Sequence, residues 1–254
     1  MKRIVILGFL SLVASFAIAQ NQSGDVGAQV AELQTKIDAL NAEIDSKELL
    51  MNKMIWEYII ETSERTSKPI KYGDCDEINE KMLCDNVESL GALRDDMNAK
   101  YDKVKKIRAA QRGYAKLNDR WLASRAYPKN NPERLKVEGE FKIFFDKLRK
   151  DKKSGYKEAY DEWKAAEAAL SVAVCKYALE QAVAANRILP LDGIKRWSLY
   201  AIKNNYAPIR NLSDEITTLK SLKNECYKYQ QKIRFAIDDK KIVDDVVIVE
   251  ESVE

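Results

Sequence analysis

The stretch from Ser154 to Arg187 is apolar on most sides of a predicted helix, and this constrains the fold of the whole chain. Its apolar residues recur three or four residues apart, in two rows that occupy more than one face. The first row is Tyr156, Tyr160, Trp163, Ala166 and Leu170, and the second is Val172, Cys175, Leu179 and Val183. Ser154 suits the N-cap, and Pro190 predicts the end of the helix. Because such a helix must be surrounded by other helices, we predict an all-α protein with this stretch as the central helix of a bundle.

The composition favours long helices joined by few turns. Charged residues make up 33% of the chain, which has only 9 Gly and 5 Pro. A helical stripe runs from Val87 through Trp121 to Tyr127, and at ~1.5 Å per residue it predicts one helix on the order of 60 Å long. Another helix is predicted from Asn131 and Pro132 onward. Its stripe is Leu135, Phe141, Phe144, Phe145 and Leu148. We therefore predict an elongated helical bundle with long antiparallel helices.

The residues from Val26 to Met54 follow a heptad pattern, which predicts an N-terminal coiled-coil segment. One seam position holds Val30, Ile37, Ile44 and Met51, and the other holds Val26, Leu33, Leu40 and Met54. Lys47 interrupts the seam. Two interpretations follow: the seam joins two copies of the chain, or it packs on another helix of the same chain.

Residues 1–19 have the pattern of a cleaved secretory signal. Lys2 and Arg3 precede an apolar run that ends in small residues before Gln20. We therefore expect a mature chain that begins at Gln20 and is secreted or periplasmic. Three charges interrupt the central stretch, so no membrane span is predicted after removal of the signal.

The rest of the chain divides at composition changes. We predict an N-terminal helix over residues 20–66, a break at 67–73, a helical bundle over 74–237 and a disordered acidic and hydrophobic tail over 238–254.

The chain has four cysteines, which in an exported protein predict two disulfides, with buried thiols as the alternative. Their spacing lacks the close pairs of a zinc site. Antiparallel packing of the central and last helices predicts a Cys175–Cys226 bond, and Cys75 then pairs with Cys84 by elimination. If one helix runs through Cys75 and Cys84, they lie about 13 Å apart and cannot bond.

No catalytic, cofactor or metal site is predicted. The chain has no His, and no Gly-rich phosphate loop is present. Carboxylates remain available, and Glu88 is the one that suits a cleaving site, although a capping box with Asp85 explains it as well. The alternative to a non-enzymatic protein is therefore a carboxylate-dependent envelope enzyme acting on cell-wall polysaccharide.

Positive charge is concentrated between Lys100 and Lys153, where 18 basic and 7 acidic residues stand. Four of the basic residues follow one another at four-residue steps, and like charges so placed on a helix repel each other. These are Arg108, Arg112, Lys116 and Arg120. An anionic envelope polymer, nucleic acid or the acidic tail would relieve the repulsion, and a solvated face kept for solubility is the alternative. We predict an exported, non-enzymatic protein that acts by binding, scaffolding or chaperoning in the envelope or outside the cell.

A short pattern occurs twice, 42 residues apart. Gly113-Tyr114 is followed by Trp121, and Gly155-Tyr156 is followed by Trp163 at the same spacing. We interpret it as an aromatic anchor that recurs on core faces of two helices.

Overall fold

The computed structural model describes residues 26–72, 76–191, 194 and 199–251; the side chains of Asp76, Leu199 and residues 236–251 are outside this description. The predicted signal, residues 1–19, also lies outside it. The helices are α1 (Val26–Thr66), α2 (Glu80–Asn86), α3 (Glu88–Ala109), α4 (Tyr114–Ser124), α5 (Pro132–Lys150), α6 (Tyr156–Ala184), α7 (Leu199–Asn205) and α8 (Ala207–Glu251). The described residues contain no strand, which confirms the all-α prediction. None of these helices has the length and apolar composition needed to cross a membrane.

The chain forms two compact units that do not follow the predicted boundaries. The terminal unit comprises residues up to Glu48 and those from Asn211 onward. The central unit comprises Leu49–Arg210. Both boundaries therefore fall inside long helices, α1 and α8, whereas the sequence suggested a division near residue 67.

In the terminal unit, the first part of α1 runs antiparallel to α8. Gln230 donates to the Val30 carbonyl at 3.4 Å, and at the other end Lys47 pairs with Glu215 at 3.2 Å. The seam side chains between these contacts are buried; they are Leu33, Ile37, Leu40 and Ile44. Residues of the same chain thus cover these seam positions, as the second interpretation of the heptad pattern expects. Lys47, which interrupts the seam, forms an ion pair.

Helix α8 continues to Glu251, past the helix end predicted at residue 237. No Gly or Pro follows Pro208 in the sequence, so no residue with strong helix-breaking character interrupts this stretch. The sequence prediction of a disordered segment over 238–254 thus differs from this helical backbone, which is described as far as Glu251.

In the central unit, α6 is the central helix, as predicted. Twelve of its residues are buried, and it contributes to both hydrophobic clusters of the unit. The larger cluster includes Trp56 of α1 and Leu170 of α6, and the smaller one includes Val104 of α3 and Tyr156 of α6. The N-cap is Gly155 rather than Ser154, but the Ser154 hydroxyl still accepts a hydrogen bond from the Tyr156 backbone N–H at 3.2 Å.

The single long helix predicted between Val87 and Tyr127 is interrupted. Helix α3 ends at Ala109, and α4 begins only at Tyr114, after Gly113 with a φ of 84°. Gly155, before α6, has a φ of 64°. Side chains with a Cβ rarely adopt this left-handed conformation, so both Gly-Tyr pairs mark helix starts. The repeated pattern therefore identifies two helix starts as well as two aromatic anchors.

The corner between α2 and α3 differs from the predicted capping box. Val87 is the N-cap of α3 and makes no side-chain cap bond. The Asp85 carboxylate instead accepts hydrogen bonds from Lys81, at 2.9 Å, and from Arg94. These bonds hold the pKa of Asp85 below its usual range. Asp85 therefore joins α2 to α3 through charge, which its local sequence did not indicate.

Gly91 lies where α3 passes closest to α2. A Cβ added there would stand 2.8 Å from the backbone carbonyl oxygen of Cys84. Because a backbone atom cannot easily move aside, we expect Gly91→Ala to lower the free energy of unfolding by about 1–3 kcal/mol in urea titrations. Gly139 of α5 is the matched control, because nothing lies within 4 Å of its added Cβ. Gly139→Ala should raise stability by about 0.5–1 kcal/mol, and a gain in both variants would contradict the close approach.

Candidate polyanion-binding surface

A continuous series of aromatic rings, here called the aromatic row, joins α3, α4, α5 and α6. The centroid separations are 5.1 Å for Trp121–Phe141, 4.9 Å for Phe141–Phe145, 5.9 Å for Phe145–Tyr156, 5.8 Å for Tyr156–Tyr160, 5.4 Å for Tyr160–Trp163 and 4.8 Å for Trp163–Tyr101. Ring pairs at such separations contribute about 0.5–1.5 kcal/mol beyond their buried area. The aromatic row therefore fixes the four helices against one another.

Basic side chains lie over most rings of the aromatic row. The distances to the ring centroids are 5.1 Å for Arg125 over Trp121, 4.8 Å for Arg108 over Phe145, 4.7 Å for Arg149 over Tyr160, 3.9 Å for Lys164 over Trp163 and 4.4 Å for Lys105 over Tyr101. Such cation–π contacts contribute about 0.5–1 kcal/mol each at exposed sites. They hold positive charge at the same helices that carry the charge excess of the sequence.

The four basic residues predicted to form one row do not lie on one helix. Arg108 is in α3, Arg112 lies in the break, and Lys116 and Arg120 are in α4. The Arg108 guanidinium donates to the Tyr156 hydroxyl at 2.9 and 3.2 Å. Arg108 therefore satisfies a buried hydroxyl of the smaller cluster.

Arg120 is also engaged within the fold. Its guanidinium forms two hydrogen bonds with the Glu140 carboxylate, at 2.7 and 3.3 Å. These bonds raise the pKa of Arg120 and lower the pKa of Glu140. Of the four cations, Arg112 and Lys116 are exposed and have no described carboxylate within 4.0 Å. Reversal of all four charges is therefore expected to disturb the fold, because Arg108 and Arg120 each bond to a residue of another helix.

The remaining charge excess is exposed and not neutralised within the described residues. Eleven basic residues of the segment 100–153 are exposed and have no described carboxylate within 4.0 Å. They are Lys106, Arg112, Lys116, Arg125, Lys129, Lys136, Lys142, Lys147, Lys150, Lys152 and Lys153. We call this set the basic surface. Exposed carboxylates, Asp119, Glu133 and Asp151 among them, also stand in this segment, so its charges are mixed with an excess of positive charge. Such an excess attracts anions over several ångströms, until salt screens it at about 8 Å under physiological conditions.

Leu135 does not belong to the core stripe of α5. Val137 and Leu148 are buried, whereas Leu135 is exposed. At about 100° per residue, Leu135 lies far from the direction of Val137 and on the same side as Ile143. The two-residue step from Leu135 to Val137 was the sequence signal for this, because it breaks the three-to-four spacing kept by Val137, Phe141, Phe144 and Leu148.

The structure contains no disulfide bond among the described residues. Cys175 is therefore not joined to Cys226, and these two residues belong to different compact units. Cys84 is a buried thiol whose pKa is raised by burial, so it is a poor nucleophile. Cys75 lies outside the described residues, while Cys84, its predicted partner, is a free thiol in the structure.

Glu88, the residue behind the enzyme alternative, is exposed in the first turn of α3. Its position suits the positive end of the helix dipole. Within the described ranges, no group of three or more His, Cys, Asp or Glu side chains is placed to hold a metal ion.

Residues 30–237 match the protein family described as "Domain of unknown function (DUF5039)". The chain belongs to this family. No curated protein and no solved structure matches the DUF5039 chain. The match spans parts of both compact units, and it includes the aromatic row and the whole basic surface of this DUF5039 protein.

Proposed function

We propose that this protein is an exported, non-enzymatic binding protein that contacts anionic polymers of the cell envelope through the basic surface. The observation that carries the proposal is the set of eleven exposed cations without a described carboxylate partner, which lie on α3, α4 and α5 and in the segments that follow these helices. The segment 100–153 holds 18 of the 43 basic residues of the chain but only 7 of its 40 acidic ones.

A surface kept only for solubility would not need this segregation of charge. Solubility is served by intermixed charges of both signs, as found on α1, where Lys36 and Lys53 pair with carboxylates one turn away. On the basic surface the like charges repel instead, and the rigid aromatic row holds several of their helices in place. An anionic polymer relieves this repulsion, because each bound anionic group neutralises nearby cations and releases their counterions.

The test is retention of the mature protein on a heparin-like resin at increasing salt. We expect the variant Arg112→Glu/Lys116→Glu/Lys142→Glu/Lys147→Glu to elute at much lower salt. The slope of log K against log salt should fall by about one for each lost contact. These positions avoid Arg108 and Arg120, so the fold should be retained, as judged by melting temperature.

The matched control reverses four exposed cations of the central unit outside the basic surface. Its variant is Arg65→Glu/Lys68→Glu/Lys71→Glu/Arg187→Glu, which changes the net charge equally. Equal loss of retention in both variants would mean that only net charge matters, and this would refute a localised site.

Removal of residues 238–254 tests the chain's own acidic tail as the competitor, because a competing tail gives stronger retention once it is removed.

A further inference from the structure

The hairpin formed by α4 and α5 exposes large apolar side chains beside its cations. The exposed fractions are 51% for Leu122, 48% for Tyr127, 54% for Leu135 and 57% for Ile143. These residues lie within a segment of 22 residues, on two helices and the turn that joins them. A single exposed apolar side chain is ordinary, whereas several on two neighbouring helices make this hairpin a candidate binding surface.

The outer face of α5 combines these side chains with lysines. Leu135 and Ile143 are eight residues apart and thus point about 80° apart around the helix, with Gly139 between them. No atom lies within 4 Å of a Cβ built on Gly139, so the helix surface between the two side chains is open. Lys136, Lys142, Lys147 and Lys150 are exposed on and beside this face.

One carboxylate also lies on this face. Asp146 is half-buried and stands 4.0 Å from the Arg149 guanidinium, which reduces its repulsion of an anion. Lysines therefore outnumber carboxylates on the outer face of α5, and the face is both basic and apolar.

We propose that this outer face, together with the turn at Tyr127 and Lys129, docks on the surface of an anionic lipid bilayer. The proposal rests on the proposed function, because it uses part of the same basic surface, and it adds a lipid surface as an anionic partner beside the polymer. A soluble polymer would use the lysines but would leave Leu135 and Ile143 in water. A bilayer surface accepts both groups, because lysines meet the headgroup phosphates while short apolar side chains enter the headgroup–acyl boundary.

The choice of a bilayer rather than a protein follows from charge complementarity. The cores of protein interfaces are depleted in lysine, whereas surface-lying helices on membranes carry lysines beside their apolar residues. None of the described helices is apolar enough to span a membrane, which leaves contact parallel to the surface as the mode for this face.

The experiment is flotation of the mature protein with phosphatidylcholine vesicles, with and without phosphatidylglycerol. We expect binding only to the anionic vesicles. Leu135→Ser/Ile143→Ser should weaken this binding by about tenfold and leave retention on the heparin-like resin unchanged. The control Leu50→Ser/Ile188→Ser, at comparably exposed apolar positions of the central unit, should bind vesicles like the unaltered protein.

The outcomes separate the two proposals. Undiminished vesicle binding by Leu135→Ser/Ile143→Ser overturns the bilayer proposal, and so does equal binding to neutral and anionic vesicles. If resin retention persists in either case, the polymer-binding function stands with a soluble anion as the partner. Equal loss of resin retention in the same variant assigns the apolar residues to the polymer and also overturns bilayer docking. Absence of binding to both resin and vesicles refutes both proposals. Unchanged melting temperatures for the exposed-site variants exclude unfolding as the cause of a loss.

Discussion

Replacement of Trp56 by Ala is expected to lower the free energy of unfolding by about 3–5 kcal/mol, the cost of deleting a large buried aromatic side chain. Trp56 is completely buried in the larger cluster of the central unit. Its indole N–H also donates to the Leu189 carbonyl at 3.0 Å. Urea titration followed by circular dichroism measures the change.

Trp56→Phe is the informative companion because it retains an aromatic ring and removes the donor. The Leu189 carbonyl would still accept a hydrogen bond from Asn52, at 2.9 Å. We therefore expect Trp56→Phe to cost much less, about 1–2 kcal/mol for the lost hydrogen bond and part of the ring volume. Equal losses in Trp56→Phe and Trp56→Ala would show that the hydrogen bond, and not the filled volume, carries the stability.

Above about pH 10, the unaltered protein is expected to lose stability more steeply than Tyr72→Phe. The Tyr72 hydroxyl donates to the Glu80 carboxylate. Burial, and then this hydrogen bond, raise the pKa of Tyr72 in the folded protein. In the unfolded chain a tyrosine loses its proton near pH 10, so unfolding releases this proton at alkaline pH. The contribution of Tyr72 is fully present below about pH 10 and is lost as the pH rises toward its folded-state pKa.

The slope cannot exceed about 1.4 kcal/mol per pH unit, and the residual exposure of Tyr72, 9%, makes it smaller. Urea midpoints measured from about pH 8 to about pH 11 report the difference between the unaltered protein and Tyr72→Phe. Tyr200→Phe is the control, because Tyr200 is 76% exposed. Parallel pH profiles for the unaltered protein and Tyr72→Phe would contradict the role of Tyr72.

Local patterns predicted the helices of this protein better than their ends. The central helix was evident because apolar spacing identifies a buried helix wherever it packs. Gly113 was a weak point of the predicted long helix but not a predicted helix end, because the apolar spacing continues through it and an isolated glycine is tolerated within a helix. Asp85 matched a local capping pattern, but its carboxylate bonds to Lys81 and Arg94 instead of capping α3. These two residues lie on either side of the corner between α2 and α3.

The sequence likewise predicted the charge excess of the candidate site but not which cations are available. Arg108 reaches a hydroxyl 48 residues away, and Arg120 reaches a carboxylate 20 residues away. The four-residue spacing of the cations does not predict such contacts, since the contacts depend on how α3, α4, α5 and α6 pack. The exposure of Leu135 could be predicted from the sequence, because its two-residue step from Val137 already placed it off the core stripe.

The pairing of Asn52 with Leu189 has a consequence for the order in which the chain folds. Asn52 accepts from the Leu189 N–H and donates to its carbonyl, both at 2.9 Å, across 137 residues of sequence. The entropy of closing so long a loop grows only with the logarithm of its length, yet it must be overcome before the contact stabilises anything. Helices α2 to α6 lie inside this loop and pair with one another across shorter stretches of sequence, such as the 48 residues between Arg108 and Tyr156, which brings the two ends of the loop nearer. We therefore expect the Asn52 contact to form late in folding. Its loss should chiefly speed unfolding and hardly slow folding.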